Sequence, residues 1–123
     1  MEDILRNAFY EEAEELFREI EDSILEIDQI GTTEDNINSL FRYMHTLKGS
    51  SAAMGINDMA ELTHHLEDLL GMARENKLQI NPVMIDVMLQ GLDELKKRVA
   101  NHKKDEPYEI DVSKYITLLD LSK

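Results

Sequence analysis

Hydrophobic residues recur every three or four positions through most of the chain, the period of a helix with one face turned toward a core. Leu5, Phe9, Ala13, Leu16, Phe17, Ile20, Ile24 and Ile27 form the first stripe and predict a helix over residues 3–28. The stretch "QIGTT" interrupts it. Gly31 suits a turn, and Thr32 or Thr33 suits an N-cap ahead of Glu34 and Asp35, acids that favour the positive end of a helix dipole. The second stripe, Ile37, Leu40, Phe41, Met44, Leu47, Ser51 and Met54, ends at Gly55, the residue type that most easily turns left-handed after a helix. After a very short link, Asn57 is the expected cap of a third helix with stripe Met59, Leu62, Leu66, Leu69, Leu70 and Ala73. So short a link makes the second and third helices antiparallel neighbours.

The segment "RENKLQINP" follows, in which Asn81 and Pro82 read as an N-cap and a first-turn proline. The fourth helix turns Ile85, Met88, Leu89, Leu92, Leu95 and Val99 inward and stops near "NHKKDEP", and Asp111 is placed to cap a short fifth helix over Val112 to Asp120. No stretch alternates with the period of a strand. The expected fold is therefore all-α: an up-down-up-down four-helix bundle over residues 1–103, then a linker and an additional short C-terminal helix over 104–123, in one domain.

Composition narrows the function classes. The chain has 123 residues, a length suited to one core. It has no cysteine, so neither a disulfide framework nor a thiolate nucleophile is available, which suits a cytoplasmic location. No segment approaches the ~20 apolar residues of a membrane span, and the acidic start "MEDILRNAFYEEAEELFREI" does not read as a secretion signal. The formal net charge is −13, with Glu11, Glu12, Glu14, Glu15, Glu19, Glu21 and Asp22 crowded into the first helix. Such a surface repels phosphate backbones and anionic lipid, so neither nucleic acid nor membrane insertion is expected.

The candidate chemistry lies in "MHTLKGSSAAMG", residues 44–55. On a helical wheel His45 falls at the edge of the apolar stripe beside Phe41 and Lys48, with Lys48 and Gly49 on the same face one turn on. A glycine inside a helix costs ~1 kcal/mol relative to alanine. Two explanations stand at this point: Gly49 clears an approach to the imidazole, or it lets two helices pack closely. On the third helix His64 and Glu67 are three apart and fall on a flank away from Leu62, Leu66 and Ala73, beside His45 if the helices are antiparallel. A carboxylate accepting from one ring nitrogen sets the tautomer and leaves the other nitrogen the better nucleophile. The opposing explanation is that these are separate surface groups.

Other chemistries fit less well. Glu61 and His64 form one Glu-x-x-His pair, whereas a di-metal bundle needs two, and no metal or cofactor is expected. The residues "KGSS" lack the glycine spacing and preceding strand of a phosphate-binding loop. Serine-histidine-aspartate catalysis needs a strained nucleophile turn that a helix interior does not provide.

Taken together, "HTLKGSSAAMG" and "LTHHLEDLL" resemble the histidine phosphotransfer (HPt) domains, in particular those at the N-terminus of CheA-type chemotaxis histidine kinases. The resemblance covers nearly the whole chain, including the extra terminal helix. It implies that His45 is phosphorylated, that Lys48 lies near the phosphoryl group, that Gly49 clears the approach, and that His64 and Glu67 form a supporting hydrogen-bond network. It further implies a carrier without an ATP site, loaded by the ATP-binding kinase domain of the parent protein, in trans within a dimer, and discharged to an aspartate of a response-regulator receiver domain. The doubled His64-His65 leaves open which ring faces the site. A stand-alone phosphorelay carrier and a non-catalytic helical interaction module are the alternatives.

Overall fold

The computed structural model describes residues 2–123, and every regular element in it is a helix: α1 Glu2–Ile30, α2 Glu34–Ala53, α3 Asn57–Arg74, α4 Pro82–Lys103 and α5 Val112–Ser122. The first four form the expected up-down-up-down bundle, with α1 between α2 and α4 and with α3 closing against α2. Helix α5 lies across α3 and α4. Among the described residues no helix is long and apolar enough to cross a membrane.

Local chemistry explains the boundaries. Thr33, rather than Thr32, caps α2: its hydroxyl accepts from the Asn36 N–H (3.1 Å), while the Asn36 side chain accepts from the Thr33 N–H (2.8 Å), a reciprocal capping box. Asn81 caps α4 by accepting from the Met84 N–H, with Pro82 in the first turn as expected. Asp111 likewise accepts from the Lys114 N–H at the start of α5. Helices α2, α3 and α4 all close with the same device. A left-handed residue, Gly55, Asn76 or Asp105, lets the next N–H reach back to a carbonyl of the last turn, giving Ile56 to Ser51, Lys77 to Met72 and Glu106 to Asn101. Asparagine and aspartate tolerate this conformation better than other side-chain-bearing residues.

Three expectations are corrected. Asn57 does not cap α3, because the link is so short that Ile56 occupies the cap position while its N–H still closes α2; Asp58 accepts from the Met59 N–H instead. Leu5 is 62% exposed, whereas Tyr10 is buried. Arg6 already reaches the His102 carbonyl and the Asp105 carboxylate beyond the end of α4, so the turn before it projects past its neighbour. The Tyr10 hydroxyl is drawn inward by His102 Nδ1 (2.7 Å). Finally, α1 and α5 each run two residues further than the stripe predicts, to Ile30 and Ser122. The α5 end is anchored where Asn81 Nδ2 donates to the Ser122 carbonyl (2.8 Å).

The core is a single apolar layer between the helices, including Ile20, Ile24, Leu40, Met44, Leu47, Met59, Leu62, Leu66, Leu70, Met84 and Met88. Met44 and Leu47 flank His45 in sequence and point inward, which leaves His45 on the outer face of the α2–α3 pair. The bundle thus serves as a rigid mount for that face.

Candidate functional site

The antiparallel pairing of α2 with α3 brings His45 and Glu67 together across 22 positions of sequence. His45 Nδ1 is hydrogen-bonded to Glu67 Oε2, and Lys48 Nζ donates to Glu67 Oε1 at 2.6 Å. The His45 side chain is 65% exposed and that of Glu67 only 8%. An acid that reads from its own helix as a flank residue is therefore buried. The flank of α3 beside the leucine stripe is covered by α2, and the two hydrogen bonds make that burial tolerable.

Electrostatics assign the proton. Burial pushes the Glu67 carboxyl up, but the hydrogen bonds from Lys48 and then His45 outweigh it and hold the group below its ordinary value. Glu67 is thus ionised at neutral pH and accepts only, so Nδ1 of His45 carries the hydrogen, and in the neutral ring Nε2 carries the lone pair. Among the described residues nothing hydrogen-bonds Nε2.

Gly49 lies on the same outer face, and a methyl group built onto it would meet nothing within 4 Å. Close packing therefore does not explain this glycine. The space in front of its Cα is open.

His64 departs from the expected network. Its Nε2 faces Asp68 Oδ1 at 3.5 Å, one turn along α3, and bonds neither Glu67 nor His45. His65 is half-buried with its ring tilted against that of His64. The Lys48 ammonium sits on Glu67 and acts as a second clamp on the carboxylate. The donor atoms of His64, Glu67 and Asp68 lie within 4.8 Å of one another, but the two hydrogen bonds to Glu67 leave this group a poor cation cage. His102, away from this face, is held below the ordinary histidine range by burial first and by Arg6 and Arg98 next.

One neighbour was not marked by the motif. Phe41, one turn before His45, lies nearly parallel to its ring, and Arg74 from the end of α3 covers Phe41. The four-residue spacing signals the first contact, whereas only the tertiary fold reveals the second.

Fold and site together define a class: a helical bundle that holds an exposed imidazole on its outer face by a hydrogen bond to a buried carboxylate. The Hpt domain family model matches residues 4–98, and the chain belongs to that family. Relatives include the chemotaxis protein CheA of Treponema pallidum, 34% identical over 96% of this chain, and CheA of Halobacterium salinarum, 36% identical over 76%. The chain spans 14% of the length of each. Among solved structures, the CheA phosphotransferase domain of Thermotoga maritima matches with a TM-score of 0.75 at 32% identity, over 78% of this chain and 91% of that one. The phosphorylated P1 domain of CheA3 from R. sphaeroides, solved in complex with CheY6, shares the fold with a TM-score of 0.85 at 20% identity, over 98% and 95% of the two chains.

Proposed function

We propose that residues 1–123 act as one domain, the phosphotransfer domain of a cytoplasmic CheA-like chemotaxis kinase, with His45 as the phosphoryl acceptor. The Nε2 lone pair attacks the γ-phosphorus of ATP held by a separate kinase domain. The nitrogen–phosphorus bond forms as the bond to the ADP oxygen breaks. No proton leaves the ring, so the phosphorylated imidazole bearing hydrogen at Nδ1 carries a positive charge, which the Glu67 carboxylate meets. An aspartate carboxylate of a receiver domain then attacks the phosphorus, and the ring departs neutral. Lys48 holds Glu67 in place, Gly49 admits the incoming active site, and His64 supports the flank through Asp68. The partners are accordingly a kinase domain and response-regulator receivers; the complex of the similarly folded R. sphaeroides P1 domain with CheY6 accords with the second.

The observation that carries this reading is the buried, ionised Glu67 bonded to Nδ1 while Nε2 stays open. Incubation with a CheA kinase core and labelled ATP tests it. Acid-labile, base-stable phosphate is expected on His45 and is absent from His45→Gln; a variant that still accumulates such phosphate refutes the assignment.

A further inference from the structure

A hydrogen bond at Nδ1 restrains one atom of the His45 ring. With the side chain 65% exposed, the plane of the ring could still swing about that contact, because exposed side chains change rotamer within nanoseconds. In-line transfer needs the Nε2 lone pair held on a defined axis. A second restraint is present on α2. The Phe41 ring lies 11° from parallel to the imidazole, with centroids 6.5 Å apart, an offset stack one helical turn long.

Phe41 is itself held from α3. The Arg74 guanidinium sits 4.4 Å from the centroid of its ring, a cation over an aromatic face. Gly71, one turn before Arg74, lies against the same ring: a methyl group built there would meet Phe41 Cε2 at 3.5 Å, an ordinary contact. Arg74 thus backs the one ring that lies parallel to the imidazole, and the other restraint on that imidazole is its hydrogen bond to Glu67. Phe41 is also only half-buried, so the core alone does not account for its orientation.

We propose that Phe41, backed by Arg74, is a positioning residue for phosphoryl transfer: it sets the plane of the His45 ring while Glu67 sets its tautomer. The role rests on His45 being the acceptor. Phe41 touches no phosphoryl group and acts only through the imidazole.

The test compares Phe41→Leu, Phe41→Tyr and Arg74→Gln with the unaltered chain, using potassium phosphoramidate as a donor too small to need a docking surface, and a CheA kinase core with ATP in parallel. With phosphoramidate the Nε2–phosphorus bond forms as the phosphorus–nitrogen bond of the donor breaks and ammonia leaves. Phe41→Leu is expected to slow phosphorylation about tenfold with both donors, Arg74→Gln to slow it less, and Phe41→Tyr to restore it. Three-bond couplings about the His45 side-chain torsions supply a readout of ring orientation that loss of the Phe41 ring current does not move: in a fully folded Phe41→Leu they approach rotamer-averaged values, and Phe41→Tyr returns them to those of the unaltered chain. A folded Phe41→Leu that takes phosphate at the normal rate overturns the positioning role and leaves His45 as acceptor. Failure of the unaltered chain to take phosphate from either donor overturns the acceptor assignment and this role with it.

Discussion

Glu67 shows how one residue joins stability to reactivity. Its carboxyl is lowered from 4.5 because the bonds from Lys48 and His45 exceed the burial penalty, so the folded state binds its proton more weakly than the unfolded chain does. That contribution to stability is fully present above pH 4.5 and is lost as pH falls through the lower folded value. Glu67→Gln is therefore expected to lower stability at neutral pH by about 1–3 kcal/mol, the usual worth of hydrogen bonds to a charged group, and to slow phosphorylation severely. Melting curves from neutral to acid pH should converge for the two proteins. Curves that stay parallel would place the carboxylate outside the linkage. Gly49 makes the opposite prediction. Because an added Cβ meets nothing within 4 Å, Gly49→Ala is expected to raise stability by up to ~1 kcal/mol through helix propensity. The bulkier Gly49→Leu should keep the fold and block phosphorylation by the kinase core while leaving the phosphoramidate reaction nearly intact. A lowered melting temperature in Gly49→Ala would return the glycine to a packing role.

At the level of elements, one acid ties the linker ahead of α5 to both α3 and α4. Asp58, in the first turn of α3, accepts from Arg98 Nε of α4 with both oxygens at 3.0 Å and from the Ile110 N–H ahead of α5 at 2.9 Å. A single carboxylate thereby ties three segments together, and its side chain and that of Arg98 are largely withdrawn from solvent. Tyr108, in the same linker, donates to the Glu94 carboxylate of α4, which raises its phenol to about 12. Asp58→Ala is expected to cost about 2 kcal/mol, since it strands a guanidinium and a backbone N–H. Hydrogen exchange should quicken in α5 and its linker, and phosphorylation of His45 should be unaffected, because Asp58 makes no contact with the α2–α3 face that carries the site. Equal loss of protection in α2 and α5 would show that the appended helix and the site do not unfold separately.

For the whole molecule, the buried layer runs without a break from α1 through α4 to Ile110, Val112, Tyr115 and Leu119, so the 123 residues are expected to melt in one transition. Helical circular dichroism and tyrosine fluorescence should report the same midpoint, and two midpoints would divide the chain. The helices and their order were legible in sequence because each is written locally, in a stripe of period 3.6 and in caps such as Thr33, Asn81 and Asp111 whose hydrogen bonds span three residues. His45, Lys48 and Gly49 were legible for the same reason, since one turn of one helix holds all three. Contacts between helices were not. A wheel drawn on α3 puts Glu67 outside the leucine stripe, and only the covering by α2 buries it and bonds it to His45 and Lys48. The same covering leaves His64 to Asp68 and sets Arg74 on Phe41, while at the far end α1 overruns α4, so that Leu5 is exposed and Tyr10 turns inward to His102. By itself the sequence determined which residues each helix carries and which of them are candidates for chemistry. The tertiary structure decided which groups meet, because burial and hydrogen bonding at a helix flank depend on the neighbour that covers it, and a one-helix pattern contains no record of that neighbour.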